Sequence, residues 1–241
     1  MIKHLVGLKN IKLQGGTASA VRGGVMIKTG NDSTKIVWKG TILSIQPRTR
    51  VWRYVTDNRT HYLIGYNLFL DGSVNSESGQ FAVAISEKQQ QSDEFRIGDR
   101  VQGTAWTKQY PEREFADYYR AGSLKRIGNA VDSMKTCPPP WRISLPDMQT
   151  YENRGARMLS QSLWKTKCFQ CIWANMANVE IIWDFDRKIS KYRFESFCYG
   201  PKSCKLYKMG RPRAVPYKGR GSSLDEGWLD EIITEGRDYD E

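Results

Sequence analysis

Four of the chain's five cysteines are grouped in two short segments. Cys168 and Cys171 form a Cys-x2-Cys pair in "KCFQCIWANM", and Cys198 and Cys204 form a Cys-x5-Cys pair in "FCYGPKSC". Two such pairs, separated by 26 residues, can supply four thiolate ligands to one tetrahedral metal ion. The spacing therefore predicts one structural Zn²⁺ held by these four cysteines.

The segment between the two cysteine pairs favours a metal-bound hairpin. It contains two strand-like runs, "NVEIIWDFD" and "KYRFESF", joined by "RKIS". Cysteine pairs at the open end of such a hairpin are the arrangement of a zinc ribbon, whose small core depends on the metal for folding. An iron–sulfur cluster stays open, as do buried thiols or a redox pair without metal. Cys137 in "TCPPP" is predicted to be a free thiol.

The distribution of charge favours a polyanionic partner. The whole chain has a net charge of +11, but its last 17 residues carry eight acids and one arginine, so residues 1–224 carry +18. A field of that size attracts nucleic acid first, and anionic membranes or acidic proteins after it. The alternative is a basic protein without such a partner.

The apolar residues predict no membrane association. No run reaches the roughly 18 apolar residues of a membrane span, and the first residues lack the apolar core and cleavage site of a signal peptide. We therefore expect a cytoplasmic protein. In that reducing compartment, clustered cysteines favour metal over disulfides.

A β-rich block extends from residue 35 to about residue 130. Its strand-like runs contain many β-branched and aromatic residues and are separated by turn compositions such as "DGSVNSESG". One interruption, at 86–95, is helical in composition, with Ser86 as its N-cap. The pattern predicts a mainly β fold with strands at 35–45, 50–55, 61–72, 79–86, 99–106 and 118–127.

This order of elements resembles an OB-fold, a five-stranded barrel with a helix between its third and fourth strands. "WKGTILSI" places Gly40 where a first barrel strand must bend, and "FRIGDRVQGTAW" enters the fourth strand through a Gly-Asp turn. With the cysteine hairpin, the chain is similar in architecture to the large subunit of replication protein A and related single-strand-binding proteins. In replication protein A the ribbon is inserted within the barrel, whereas here it follows the barrel.

Two segments after the β-rich block have helical patterns. A helix with Met148, Tyr151, Met158, Leu159 and Leu163 on one face is predicted to lead into the first cysteine pair. The acidic tail is predicted to form a short amphipathic helix, with Trp228 on its apolar face, that competes with nucleic acid for the basic surface or binds a protein partner. The alternative is a disordered acidic tail that only keeps the protein soluble. By composition, the chain therefore divides into five parts: an N-terminal arm (1–34), an OB-like barrel (35–130), a Pro-rich linker (131–147), a small α+β zinc-ribbon domain with a basic loop (148–224) and the acidic tail (225–241).

The resemblance implies how nucleic acid would bind. OB barrels stack the bases of single strands on aromatic side chains while basic groups contact phosphates. "QPRTRVWRY" interleaves both types, and "KSCKLYKMGRPRAVPYKGRG" is a second basic segment. The predicted contacts to nucleic acid are Arg48, Arg50, Trp52, Arg53, Tyr54, Arg59, Tyr62, Tyr66, Trp106, Lys108 and Tyr119 in the barrel, and Lys205, Lys208, Arg211, Arg213, Lys218 and Arg220 in the basic loop.

Catalytic patterns are sparse. The chain has two histidines, His4 and His61, and it lacks a phosphate-binding GxxxxGK[ST] loop, a GxSxG elbow and a deaminase signature. "WDFDRK" with Glu180 and Glu195 is the nearest catalytic pattern and suits a metal-dependent nuclease, but also a solvated hairpin turn. We therefore expect a non-catalytic protein that binds single-stranded DNA or RNA. The alternative is a scaffold or adaptor subunit that binds an acidic protein partner.

Overall fold

The computed structural model describes residues 33–54, 59–129, 145–211, 215–217, 220–222 and 226–237. Residues 1–32 of the predicted N-terminal arm, most of the linker and Cys137 lie outside these ranges. The strands are β1 (Lys35–Arg53), β2 (Thr60–Val74), β3 (Glu77–Ile85), β4 (Arg100–Thr107), β5 (Tyr118–Gly128), β6 (Arg157–Leu159), β7 (Ala174–Asp184), β8 (Ile189–Cys198), β9 (Val215–Tyr217) and β10 (Arg220–Ser222). The helices are α1 (Glu87–Asp93), α2 (Met148–Arg154), α3 (Gln161–Leu163) and α4 (Glu226–Ile233), with a 3-10 turn at Pro111–Arg113 and a π-helical turn at Trp164–Cys168.

The first five strands form a closed ring in the order β1-β2-β3-β5-β4. β1 pairs with both β2 and β4, and β3 meets β5 in parallel at Val83 and Tyr118, which closes the ring. Along each strand, alternate side chains point into the ring, and buried ones such as Trp38, Ile42 and Leu68 form its apolar core. The predicted mainly β fold and its ring of five strands are confirmed.

Helix α1 lies between β3 and β4, as the sequence predicts. Ser86 is its N-cap and accepts a hydrogen bond from the backbone N–H of Gln89, while the Gln89 side chain accepts one from the Ser86 N–H. This capping box satisfies two amide groups that the helix would otherwise leave unpaired. Ser86 and Gln89 therefore determine where the chain leaves β3 and begins α1.

Two glycines allow β1 and β2 to approach closely. Gly40 and Gly72 are partners in the ladder, and a Cβ atom at Gly72 would lie 2.1 Å from the Lys39 carbonyl oxygen. A Cβ at Gly40 would lie 2.9 Å from the Asp71 carbonyl oxygen. The close contact explains why glycine occupies this point of the first strand.

The second half of β1 extends the sheet beyond the ring. Val51 to Arg53 pair in parallel with β7, and β7 forms a hairpin with β8, whose other edge pairs with β6. Ring and hairpin thus belong to one eight-stranded sheet, and Ser33–Glu241 form one compact unit. The strands predicted at 35–45 and 50–55 are one strand, with β-bulges near residues 43 and 48. The division into barrel and ribbon domains stays a prediction.

The helix predicted to begin at Met148 is interrupted. α2 ends at Arg154 and is followed by Gly155, whose φ of +62° favours glycine. The chain then forms β6 against β8 before turning through α3 into the first cysteine pair. A Cβ at Gly155 would lie 2.3 Å from the Ile233 side chain. The single-helix prediction is wrong because pairing with β8 outweighs the helical spacing of Met158 and Leu159.

The acidic tail contains the predicted helix, but a different face is buried. The carboxylate of Asp230 on α4 accepts hydrogen bonds from Arg59 at 2.6 Å and from the Met158 N–H at 2.9 Å. The Trp228 side chain is 63% exposed. Asp230 therefore lies on the buried side of α4 and Trp228 on its exposed side, and both competition with nucleic acid and binding of a protein partner stay predictions. In the described ranges, every helix is too short or too polar to cross a bilayer.

Candidate metal centre and nucleic-acid-binding surface

The open end of the β7–β8 hairpin brings the four cysteines together. Cys168 ends the π-helical turn, Cys171 follows in a turn closed by its N–H to the Cys168 carbonyl, Cys198 ends β8, and Cys204 lies in the loop beyond. All four line one cavity of about 10 Å³, together with apolar side chains that include Trp173. That volume is about the size of a single water molecule or ion.

The surroundings of the sulfur atoms combine burial with hydrogen-bond donors. Burial, with a smaller contribution from the neighbouring cysteines, raises the pKa of the Cys168 thiol to about 12 and that of Cys171 well above its usual value. The Gly200 N–H donates to the Cys198 sulfur at 3.3 Å, and the Trp173 N–H donates to Cys171. Such donors favour thiolate, the form that binds metal, while a bound cation would offset the burial.

Three arginines hold the backbone of the second cysteine segment. Arg154 donates to the carbonyl of residue 199 at 2.6 Å, Arg237 to that of 200 at 2.8 Å and Arg157 to that of 201 at 2.9 Å. The loop between Cys198 and Cys204 is therefore held in place by these three side chains. Arg237 follows α4, so the C-terminal helix contributes to this support.

The cysteines are gathered but do not form a completed metal site. Within the ranges the structure describes, no group of three or more histidine, cysteine or acidic side chains has an arrangement that would hold a metal ion. The four described cysteines are free thiols, and Cys204 is more exposed than the other three. The structure thus shows four thiols around one cavity, and zinc remains a proposal.

A second feature is an exposed sheet face on β2, β1, β7 and β8, which we call the open face. We define it by Arg50, Trp52, Tyr62, Glu180 and Tyr192. Arg50 pairs with Tyr62 across β1 and β2, Trp52 pairs with Glu180 across β1 and β7, and Glu180 pairs with Tyr192 across β7 and β8. Paired residues project from the same side of a sheet, so aromatic, basic and acidic groups alternate on this face.

The β4–β5 loop borders the open face. Arg113 in this loop donates to the Tyr192 hydroxyl at 3.0 Å, and its guanidinium lies 5.1 Å from the ring centre of Tyr110. Tyr192 in turn donates to a Glu180 carboxylate oxygen at 3.1 Å. The Tyr62 and Tyr110 side chains are 61% and 50% exposed. The arrangement offers flat rings, guanidinium groups and one oriented carboxylate to solvent.

Three predicted nucleic-acid contacts lie inside the protein. Arg53 is fully buried and pairs with Glu195 at 2.6 Å, and Arg59 pairs with Asp230 at 2.6 Å. Tyr66 is buried and donates to the Pro146 carbonyl at 2.7 Å. Because strand residues alternate between faces, Arg53 projects opposite to Trp52. We therefore correct the role of these three residues to a structural one.

The other predicted contacts in the ring are dispersed. Arg48 forms an ion pair with Glu114, Lys108 donates to the Glu114 carbonyl, and the Tyr54 ring lies 6.2 Å from Phe185 in the hairpin turn. Trp106 and Tyr119 pair across β4 and β5, away from the β1–β7 pairing that forms the open face. In the basic loop Lys205, Lys208 and Arg211 are exposed, the side chain of Arg220 in β10 is not described, and Arg213 and Lys218 lie outside the described residues.

The carboxylates of the predicted nuclease pattern are kept apart because strand residues alternate between the two faces of the sheet. Glu180 lies on the open face, whereas Glu195 is fully buried between Arg53 and Arg193. Asp184 is buried and binds the Arg187 backbone in the hairpin turn. Glu180 and Glu195 project from opposite faces and cannot share one metal ion.

Sequence reasoning missed Arg113 and Tyr192. Arg113 lies between the predicted strands at 99–106 and 118–127, and Tyr192 belongs to the strand-like run "KYRFESF", which carries no predicted nucleic-acid contact. The alternation of "KYRFESF" puts Tyr192 on the side opposite to buried Glu195, which was a usable signal. The contact of the β4–β5 loop with β8 joins residues about 80 positions apart and has no local signal.

Comparison with known proteins adds no relative: no family model, no curated protein and no solved structure matches this chain.

Proposed function

We propose that this is a non-catalytic protein that binds single-stranded nucleic acid on the open face. The observation that carries the proposal is the direct pairing of Arg50 with Tyr62, next to Trp52, on an exposed sheet surface. Flat rings stack on unpaired bases, and guanidinium groups contact phosphates or stack on bases. The net charge of +11 attracts a polyanion to the molecule.

The order of strands supports an OB-type barrel as the scaffold. The ring has the order β1-β2-β3-β5-β4 with a helix between β3 and β4, and in OB-folds the β1–β2 and β4–β5 loops flank the ligand. Here the open face lies next to the β4–β5 loop, near the end of β1. This position favours the architectural resemblance to replication protein A and related single-strand-binding proteins.

We propose further that the four cysteines bind one Zn²⁺ as a zinc ribbon with a structural role. Tetrahedral zinc needs four soft ligands, and the cavity is bordered by four thiols and two N–H donors aimed at sulfur. Binding requires the side chains to close around the cavity. Zinc there would stabilise the base of the β7–β8 hairpin, whose strands carry Glu180 and Tyr192. We infer a cytoplasmic location, because a reducing compartment favours metal-bound thiolates over disulfides.

The proposed function is tested by fluorescence anisotropy with mixed-sequence single- and double-stranded DNA and RNA over a salt series. We expect single strands to bind more tightly than duplexes, with an affinity that falls linearly in logarithmic salt concentration. Trp52→Ala should weaken binding about tenfold at every salt concentration, because stacking is worth about 1–3 kcal/mol per base. Arg50→Ala should lower the salt slope by about one.

The matched control is Trp228→Ala, which removes an exposed tryptophan from α4 and should leave the affinity unchanged. Equal affinity of wild type and Trp52→Ala would contradict the open face as the binding surface. Failure of every oligonucleotide to bind would contradict the function and favour an acidic protein partner.

A further inference from the structure

Glu180 is unusual on the open face because it is an acid on a surface proposed to bind a polyanion. Its parallel partner in the sheet is Trp52, so the two side chains project next to each other, and both are half-buried. A carboxylate repels phosphates, so it weakens any binding that depends on the backbone alone. A carboxylate at this position is favourable where it accepts hydrogen bonds from a base.

The carboxylate is held in place by a hydrogen bond and not by an ion pair. Arg113 donates to the Tyr192 hydroxyl at 3.0 Å, and that hydroxyl donates to one Glu180 oxygen at 3.1 Å. Among the described residues, no basic side chain forms an ion pair with Glu180. A carboxylate has about four lone-pair positions, and Tyr192 uses one of them. The relay therefore orients the group and leaves most of its accepting capacity for a ligand.

The four bases differ in what they offer a carboxylate. Guanine presents two adjacent donors on its Watson–Crick edge, the ring N1–H and the exocyclic amino group, which match two carboxylate oxygens. Adenine and cytosine present an amino donor beside a ring acceptor, and thymine and uracil present one donor between two carbonyl groups. An acceptor or a carbonyl placed against a carboxylate is repelled.

We propose that Glu180 is a specificity-determining residue that selects guanine for the base stacked on Trp52. Tyr192 and Arg113 act as positioning residues that orient the carboxylate. This inference rests on the proposed function, because it assigns the base preference of the same face. A base stacked on the Trp52 ring would have its edge beside the neighbouring strand, where Glu180 lies.

The test is a competition experiment with oligothymidine strands that carry one central substitution by guanine, adenine, cytosine or hypoxanthine. Single substitutions prevent guanine-rich strands from folding on themselves. We expect the guanine strand to bind about tenfold more tightly than oligothymidine, equivalent to about 1.4 kcal/mol. Hypoxanthine keeps the N1–H but lacks the amino group, so it should lose most of this advantage.

Glu180→Gln replaces one acceptor oxygen by an amide donor and should reduce the guanine advantage to about onefold, with equal or higher affinity for oligothymidine. Tyr192→Phe should reduce the advantage with unchanged affinity for oligothymidine, which a general loss of structure would not produce. The matched control is Glu112→Gln, an exposed glutamate in the β4–β5 loop, which should keep the full preference.

The outcomes separate the two proposals. A wild-type protein that binds every strand equally, or a Glu180→Gln variant that keeps the guanine preference, would overturn the role of Glu180 while the proposed function stands. If no strand binds, the proposed function itself fails. Loss of the preference in Glu180→Gln with retention in Glu112→Gln supports the inference.

Discussion

Arg53 and Arg50 lie three residues apart on β1, and the structure predicts opposite consequences for their loss. Arg53 is fully buried, and its guanidinium contacts the Glu195 carboxylate at 2.6 and 3.0 Å. Arg53→Met leaves Glu195 buried with Arg193 as its remaining ion-pair partner among the described residues. Removing one member of a buried pair lowers the free energy of unfolding by about 3–5 kcal/mol. Arg50 is exposed, so Arg50→Met should change that free energy by about 0.5 kcal/mol or less.

The assay is urea denaturation followed by tryptophan fluorescence. With an m-value of about 2 kcal/mol per molar urea, Arg53→Met should lower the midpoint by roughly 2 M, and Arg50→Met should leave it unchanged. Oligonucleotide affinity, measured without denaturant, should fall in Arg50→Met. The double variant Arg53→Met with Glu195→Leu should recover most of the lost stability, because an apolar pair needs no charge partner.

The result that would refute this reasoning is an unchanged midpoint for Arg53→Met together with a loss of affinity. Arg53 would then face the ligand, as the sequence pattern alone suggested, and the assignment of faces on β1 would be reversed. An equal loss of stability in Arg50→Met would also contradict it.

The remaining predictions concern the ring, the cysteines, the C-terminal helix and the buried histidine. Gly72→Ala should destabilise the ring by about 1–3 kcal/mol because its Cβ would lie 2.1 Å from the Lys39 carbonyl oxygen, whereas Gly79→Ala, with open space around it, should not; equal midpoints would contradict the close contact. Elemental analysis should find one zinc per chain in wild type and in Cys137→Ser but none in Cys198→Ser. Stoichiometric iron would contradict zinc and indicate an iron–sulfur cluster. Asp230→Ala should lower the free energy of unfolding by about 3–5 kcal/mol because Arg59 loses its buried partner; wild-type stability would show that α4 is dispensable. The pKa of His61 is held well below its usual value by burial and then by Arg59 and Arg53, so the unfolded chain takes up the proton first as the pH falls. The stability that neutral, buried His61 contributes is therefore fully present above about pH 6.5 and is lost progressively as the pH falls below that value. His61→Gln should flatten this acid-side loss in urea titrations at several pH values, and an unchanged pH profile would contradict the assignment.

Elements with strong local signals could be predicted from the sequence. Runs of β-branched and aromatic residues between turn compositions located the ring strands, and Ser86 located α1, because strand propensity and helix caps depend on neighbours within a few residues. The cysteine spacing likewise predicted which four thiols meet at one cavity. Local spacing alone is sufficient for these features.

Long-range pairing could not be predicted. Nothing near Trp52 in the sequence indicates that Glu180 becomes its neighbour, since the β1–β7 pairing joins residues more than 100 positions apart. The same pairing decides that Arg53 is buried, although the alternation within "RVWRY" already separated Arg53 from Arg50 and Trp52. The tail was interpreted from its charge and apolar spacing, yet the buried partner of Asp230 is Arg59, far away in the chain.

The central claim is that single-stranded nucleic acid binds on the open face. Its most direct test is ultraviolet cross-linking of a bromouridine-substituted strand to the full-length protein, followed by mass spectrometry of the linked peptides. We predict cross-links to Trp52 and Tyr62, and their loss in an excess of unlabelled single strand. Cross-links confined to Trp106 and Tyr119, or to the basic loop, would contradict the claim and place the ligand elsewhere.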